Sequence, residues 1–145
     1  MVMTLRIPEV TVECRRGTVF CGRCCYGTEM VLTLEDIERI TSLGFELQRF
    51  ATLSNGFMRL RNVDGHCIFL DPHSNRCTIY RWRPLGCRLY PLIYDPFKNK
   101  VLVDRLCPRS KMLRSRMRNL ARYAEVFKAL LRSAEEAVKR YAGEF

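Results

Sequence analysis

The sequence lacks any apolar run long enough to cross a membrane, since a spanning helix needs about 18 or more such residues in succession. Residues 1–13 also lack the basic stretch followed by an apolar run that marks a secretory signal peptide. The 145 residues contain neither an internal repeat nor a low-complexity tract, and this length fits one domain. We therefore expect a soluble, cytoplasmic protein with a packed core and no membrane contact.

Cysteine, by contrast, is abundant. A reducing cytosol keeps thiols from oxidising, so clustered cysteines there more often ligate metal than form disulfides, which are the alternative. Cys21 and Cys24 form a C-x-x-C chelating pair with Gly22 between them, and Cys25 follows directly. Eight thiolates match two four-ligand sites. The candidate metal ligands are Cys14, Cys21, Cys24, Cys25, Cys67, Cys77, Cys87 and Cys107.

The spacing of the later cysteines bears on the identity of the metal. Structural zinc sites usually show two chelating pairs, whereas Cys67, Cys77, Cys87 and Cys107 are all single. Remote single cysteines, and the Cys107-Pro108 dipeptide, are more typical of iron–sulfur ligation. The spacing therefore favours an iron–sulfur cluster, such as a 4Fe-4S cluster, over Zn²⁺, and a protein with both groups is a further alternative.

Other side chains suited to ligation or catalysis are few. His66 and His73 flank the fifth cysteine, and either is able to replace a thiolate as a ligand. Asp71 and Asp104 are candidate general bases, but no nucleophile accompanies them, and a turn position accounts better for Asp71. The sequence assigns no catalytic residue.

Local patterns predict a short helix and several strands. Residues 33–36 form a capping box, apolar residues recur from Leu34 to Leu43, and Gly44 is placed to end the helix.

Short strands are expected at residues 57–61 and 67–70, with a turn at residues 64–65 between them. Residues 89–94 and 101–106 are expected to form a hairpin with a longer loop.

From residue 110 to Tyr141, apolar residues recur at spacings of four and three, which predicts one long amphipathic helix. We expect its apolar stripe to pack on the rest of the chain, which favours a monomer, and a helix-pair dimer is the alternative. The expected fold class is α+β. A cysteine-rich, metal-centred body, residues 1–108, would hold short antiparallel strands, and residues 109–145 would form a basic helix packed on it within a single domain.

The net charge of +10 is unevenly distributed. Residues 1–65 are near neutral, whereas residues 109–145 carry ten basic and four acidic residues. One side of the long helix, away from the stripe, concentrates basic residues that only Glu125 opposes. A solvated face explains this, and contact with RNA or a ribosome is the functional alternative. The candidate nucleic-acid-binding residues are Lys111, Arg114, Arg118 and Arg122.

Four segments, residues 21–25 (CGRCC), 32–37 (LTLEDI), 67–70 (CIFL) and 77–91 (CTIYRWRPLGCRLYP), resemble the YkgJ-type family, which is named for a CxxCxxCC pattern. The resemblance covers about residues 12–108, and its last block is quite specific. The family is described as carrying eight cysteines, as this chain does.

Cys14 departs from the family pattern, because it lies seven residues before Cys21 where the family spacing is three or four. The resemblance implies zinc or iron chelation with a structural or electron-transfer role. It also raises a metal-dependent redox or methyl-transfer enzyme as an alternative. Because guanidinium offers five donors, we expect Arg83 and Arg88 to bond cluster sulfurs or buried carbonyls.

Overall fold

The structure is a computed structural model, which describes residues 15–16, 19–20, 25–105, 107, 111, 114 and 120–145. The described α-helices are α1 (Leu34–Ser42), α2 (Leu47–Phe50), α3 (Leu85–Leu89) and α4 (Ala124–Tyr141). The described strands are β1 (Arg15–Arg16), β2 (Val19–Phe20), β3 (Ala51–Ser54), β4 (Phe57–Leu60), β5 (Asn62–Val63), β6 (His66–Cys67), β7 (Leu70–Asp71), β8 (Arg76–Cys77), β9 (Leu92–Asp95) and β10 (Lys100–Val103). Single 3-10 turns occupy Tyr80–Trp82, Leu120–Tyr123 and Ala142–Glu144.

Each described strand pairs antiparallel with its neighbour in sequence, from β1 with β2 to β9 with β10. Two of these hairpins close through two-residue turns in which both residues have positive φ. Asn55 and Gly56 have φ of 49° and 81°, and Asp64 and Gly65 have 51° and 83°. Such turns match the right-handed twist of the strands, and Asn, Asp and Gly tolerate the conformation best. The turn at residues 64–65 is confirmed, whereas the sequence did not predict β3.

The other expected strands are found in altered form. Residues 57–60 form β4, but the expected strand at 67–70 divides between β6 and β7, which belong to different hairpins. The hairpin near residue 95 is confirmed, with Asp95 opposite Lys100. Asp95 Oδ1 accepts the backbone N–H groups of Phe97 and Lys98 at 3.0 and 3.3 Å, which fixes the loop.

The capping box of α1 is confirmed. Thr33 Oγ1 accepts the N–H of Asp36 at 3.0 Å, and Asp36 Oδ2 accepts the N–H of Thr33 at 2.9 Å. Ile37 and Ile40 are fully buried, and Gly44 follows the end of the helix with φ of 103°.

Two hydrophobic clusters form the core of the described residues. The first cluster contains Leu32, Ile37, Ile40, Leu47, Phe50, Ala51, Met58, Leu60, Cys67, Phe69, Leu70, Ile79 and Ala137. The second cluster contains Leu89, Leu92, Val101, Val103, Tyr123, Val126, Phe127 and Leu130. Helix α4 belongs to both, since Ala137 lies in the first cluster and Phe127 stacks on Tyr94 beside the second, with ring centroids 5.6 Å apart.

Polar contacts also hold α4 against α1. The N–H of Leu34 donates to Ser133 Oγ at 3.1 Å, Ser133 Oγ donates to Glu35, and Arg140 pairs with Glu38 at 3.2 Å. The expected packing of the apolar stripe on the rest of the chain is therefore observed. The buried face is broader than the predicted stripe, because it also includes Val126, Leu130 and Ala137.

The α+β fold class is confirmed, with short antiparallel strand pairs and a long C-terminal helix. Positions 111 and 114 are helical, but α4 itself begins at Ala124 after a 3-10 turn. The strand expected within residues 1–13 lies outside the described residues. Among the residues that are described, no helix is both long and apolar enough to cross a membrane. The division at residue 108 and the monomeric state stay predictions.

Candidate metal centre

Five of the eight cysteines fall on described positions, each on a different segment. Cys67 ends β6, Cys77 ends β8 and Cys87 lies in α3. Cys25 precedes the residues that pair with β6, and Cys107 follows β10. The remaining three candidate ligands, Cys14, Cys21 and Cys24, lie outside the described residues.

Backbone pairing brings Cys25 level with Cys67. Tyr26 forms an antiparallel bridge with His66, and the N–H of Gly27 donates to the carbonyl of Gly65 at 2.8 Å. Because antiparallel partners run in opposite order, the same register sets Cys25 beside Cys67. The C-terminal cysteine of the CGRCC segment thus meets the first of the single cysteines.

Four of the thiols share one apolar environment. Cys67 is 4% exposed and belongs to the first cluster, and Cys25, Cys77 and Cys87 are half-buried against it. Thiolates are the ligands of structural zinc and of iron–sulfur clusters, and an apolar shell limits solvent access to such groups. The donor chemistry of these residues fits either group.

The convergence is incomplete among the residues that can be located. No three His, Cys, Asp or Glu side chains within the described ranges gather closely enough to hold a metal ion. Cys107 is buried but belongs to neither cluster, and its N–H donates to the carbonyl of Asp104 at 3.3 Å. The eight-cysteine ligand set therefore stays a prediction.

Asp104 ties Cys107 to the chain beyond Cys87. Its Oδ2 accepts the hydroxyl of Tyr90 at 2.8 Å, and its N–H donates to the carbonyl of Pro91 at 2.7 Å. These bonds give Asp104 a positioning role in place of the general-base role considered from sequence. Asp71, the other aspartate considered, accepts the hydroxyl of Ser74 and its pKa is lowered by that bond.

A buried carboxylate fixes the helix that carries Cys87. Asp36 is 1% exposed, and its Oδ1 accepts the N–H of Leu85 at 3.0 Å and Arg39 Nη2 at 2.7 Å. Arg39 also donates to the carbonyls of Trp82 and Arg83, at 3.4 and 3.3 Å. Burial raises the pKa of Asp36, against the opposing effect of its hydrogen bonds and of Arg39. Sequence reasoning found Asp36 as a cap and missed this second role.

The two arginines expected near the cofactor differ in their contacts. Arg83 Nη1 donates to the carbonyl of Tyr80 at 2.8 Å, and the guanidinium lies 4.0 Å from the centroid of the Tyr80 ring. Arg88 is half-buried one position after Cys87, and no described residue bonds its guanidinium. Neither arginine bonds a described cysteine in the contacts found, and their cofactor role stays a prediction.

The two histidines also have other partners. His66 Nδ1 lies 2.9 Å from the carbonyl oxygen of Cys67, and its ring meets the edge of Tyr26 at 6.2 Å between centroids. His73 is exposed in the turn before β8, where its N–H donates to Asp71 at 3.0 Å.

Three of the four candidate nucleic-acid-binding residues are described, and all three are exposed. Lys111 and Arg114 are in helical conformation, and Arg122 donates to the hydroxyl of Tyr123 at 3.0 Å. Glu125, the acidic residue expected to oppose them, pairs with Lys128 at 3.2 Å instead. Arg118 lies outside the described residues.

Comparison with known proteins identifies one family. A family model named CxxCxxCC and described as a "putative zinc- or iron-chelating domain" matches residues 13–117. A protein of Methanocaldococcus jannaschii, named as uncharacterized, is 39% identical over 77 residues, which are 49% of this chain and 41% of that protein. The chain thus spans about two fifths of the length of this relative. No solved structure matches the chain.

Proposed function

Because the chain belongs to the CxxCxxCC family of zinc- or iron-chelating domains, we propose that it is a metal-binding protein whose cysteines hold an iron–sulfur cluster. The observation that carries this proposal is the sharing of one hydrophobic cluster by Cys25, Cys67, Cys77 and Cys87, which come from four separate segments. Thiols scattered along a chain have no packing reason to converge in this way, whereas a multi-ligand centre requires it.

The choice of iron–sulfur over zinc rests on ligand spacing. Cys67, Cys77, Cys87 and Cys107 are single, and remote single ligands are more typical of clusters than of zinc sites built from chelating pairs. In this proposal Cys67 and its three neighbours in the first cluster supply ligands together with the CGRCC segment. Such a cluster, when bound, supplies a one-electron carrier or a rigid cross-link.

Anaerobic purification followed by visible spectroscopy and assays of iron, sulfide and zinc tests this proposal. We expect brown protein with iron and acid-labile sulfide in equal amounts. Colourless protein with stoichiometric zinc would replace the cluster with zinc and keep metal binding. Protein that contains no metal and whose cysteines are oxidised in the cell would overturn the proposal.

A substitution separates ligation from folding. We expect Cys77→Ser to lower the metal-to-protein ratio, because a hydroxyl is a poor ligand for a soft metal. Val101→Ser is the matched control, since it puts the same hydroxyl into the second cluster, where Val101 is buried. That variant should lower stability while its folded fraction keeps the full metal content.

We further propose that the basic face before α4 binds RNA. Lys111 and Arg114 support this, because both are exposed and neither forms an ion pair with a described carboxylate, while Glu125 is engaged by Lys128. Residues three apart on a helix share a face, and arginine bonds two phosphate oxygens at once. Such contacts position a protein on RNA without reading its sequence.

Fluorescence anisotropy with single-stranded RNA, measured over a range of salt, tests the RNA proposal. Reversal of both residues, Lys111→Glu with Arg114→Glu, should weaken binding and lower the slope of log affinity against log salt by about one unit per contact. The matched control is Lys98→Glu with Lys100→Glu, which changes the net charge equally in the exposed loop of the β9–β10 hairpin. Equal losses in the two variants, or no binding by the wild type, would contradict the proposal.

A further inference from the structure

The described residues enclose an open cavity of about 340 Å³ against the β3–β4 hairpin. Its lining is polar and contains no cysteine. The hydroxyls of Thr52 and Ser54 and the amide of Asn55 line it, together with the guanidinium groups of Arg59 and Arg61. Two cations among neutral hydrogen-bonding groups make this cavity electropositive.

The two arginines share a side of the hairpin for a simple reason. Side chains two residues apart in an extended strand point the same way. Met58 and Leu60 point into the first cluster and are buried, so Arg59 and Arg61 point away from it. Thr52 is the register partner of Arg59, which sets its hydroxyl beside that guanidinium.

Backbone carbonyls hold Arg59 in place. Its Nε donates to the carbonyl of Ser54 at 3.0 Å and its Nη1 to that of Glu29 at 2.8 Å, which leaves Nη2 for another acceptor. Arg61 makes one long bond, from Nη2 to the carbonyl of Ala51 at 3.4 Å. Neither guanidinium forms an ion pair with a described carboxylate. A bound anion would relieve the repulsion between them.

A side-chain clamp gives the cavity a rigid wall. Asn62 Nδ2 donates to the carbonyl of Thr28 at 2.8 Å, and the N–H of Thr28 donates back to Asn62 Oδ1 at 3.0 Å. Asn62 is also the register partner of Cys67 across the β5–β6 hairpin. The cavity therefore abuts a cysteine-bearing segment through a wall that is already fully hydrogen-bonded.

We propose that this cavity binds a small phosphate monoester. Guanidinium groups bond oxyanions through paired N–H donors, and the added hydroxyl and amide donors exceed what the two oxygens of a carboxylate accept. A tetrahedral phosphate dianion offers the larger number of acceptors. The volume lies in the range of small-molecule sites. The carboxylate of Glu29, also in the lining, is suited to accept a hydroxyl of the organic part.

Calorimetric titration of the full chain, as purified, with glycerol 3-phosphate and with inorganic phosphate tests the site. Glycerol is the uncharged probe. We expect saturable binding of glycerol 3-phosphate, and Arg61→Gln should weaken it by about tenfold or more, since a hydrogen bond to a charged group contributes that much. Arg61 is exposed, so the variant should fold. Arg132→Gln, on the exposed side of α4, removes the same charge and should bind as the wild type does.

A second variant, Thr52→Val, removes one lining hydroxyl at nearly constant volume and should also weaken glycerol 3-phosphate. The proposal is overturned if neither phosphate compound binds, or if Arg61→Gln and Arg132→Gln bind equally. Binding of inorganic phosphate as tightly as the ester would overturn the assignment of a monoester. None of these residues is a candidate metal ligand or part of the basic face, so metal content and RNA affinity should be unchanged.

Discussion

Among single residues, Asp36 makes the widest set of connections. It begins α1 as a cap, bonds the backbone of α3 through Leu85, and orients Arg39 toward the carbonyls of Trp82 and Arg83. A buried carboxylate is stable only when its lone pairs are satisfied, and here three donors reach it. The segment that carries Cys87 is therefore aligned from a helix some fifty residues earlier in the chain.

We predict that Asp36→Asn destabilises the protein by about 2–4 kcal/mol, because an amide turns an N–H₂ group toward donors that need an acceptor. Urea denaturation followed by circular dichroism measures this loss. Glu38→Asn is unsuitable as a control since it also shortens the side chain, so Glu38→Gln serves. Glu38 pairs with Arg140 on the surface, and its loss should cost less than about 1 kcal/mol. Similar losses in the two variants would refute the central role of Asp36.

At the scale of elements, α3 packs closely enough to require a glycine. Gly86 is buried beside Cys87, and a methyl group added there would collide with Sδ of Met30, which packs against the first cluster. The glycine allows the helix and the segment after Cys25 to approach each other. Two cysteine-bearing segments are brought near in this way.

We predict that Gly86→Ala lowers the free energy of unfolding by about 1–3 kcal/mol through overpacking, although alanine is the better helix former. Shortening the obstructing side chain should relieve the collision. The double variant Gly86→Ala with Met30→Ala should therefore lose less than the sum of the two single losses, as measured by urea denaturation. An additive pair, or a single Gly86→Ala variant as stable as the wild type, would contradict this account.

The elements that could be predicted are those whose signal is local. The capping box before α1, the turn at residues 64–65 and the hairpin near residue 95 each depend on neighbouring residues alone. Strand β3 was missed because Ala51–Ser54 does not alternate apolar with polar residues in the usual way and its partner supplies the pairing. The expected strand at 67–70 was divided because its two ends pair with different partners.

The same distinction applies to the candidate site. Cysteine spacing predicts thiolate ligation, but only long-range pairing reveals that Cys25 and Cys67 lie side by side. The bond from Leu85 to Asp36 and the cavity around Arg59 and Arg61 join residues far apart in the chain, so no local pattern signals either. The LTLEDI and CTIYRWRPLGC segments that carry the family resemblance are joined by that same bond.

At the scale of the whole molecule, α4 closes both hydrophobic clusters. Its first half contributes Val126, Phe127 and Leu130 to the second cluster, and Ala137 reaches the first. Neither cluster is complete without this helix. The described part of the chain therefore behaves as one cooperative unit in which surfaces remote in sequence depend on each other.

We predict that truncation after residue 123 abolishes cooperative thermal unfolding, because it exposes apolar side chains of both clusters. The remaining chain should bind a hydrophobic dye and lose near-ultraviolet circular dichroism. Truncation after Tyr141 is the control, since residues 142–145 belong to neither cluster, and it should unfold as the intact chain does. Cooperative unfolding of the shorter chain would contradict the prediction.

The position of α4 in the chain also sets the order of events during synthesis. Every strand pair described here joins neighbours in sequence, so each hairpin is able to form soon after it leaves the ribosome. Ala137 is translated 58 residues after Ile79, the residue before it in the first cluster, a delay of a few seconds at about 5–20 residues per second. Cys25, Cys67, Cys77 and Cys87 all emerge before that delay ends. The nascent chain therefore presents these thiols in a half-built pocket, open to the cytosol, before the last helix seals it.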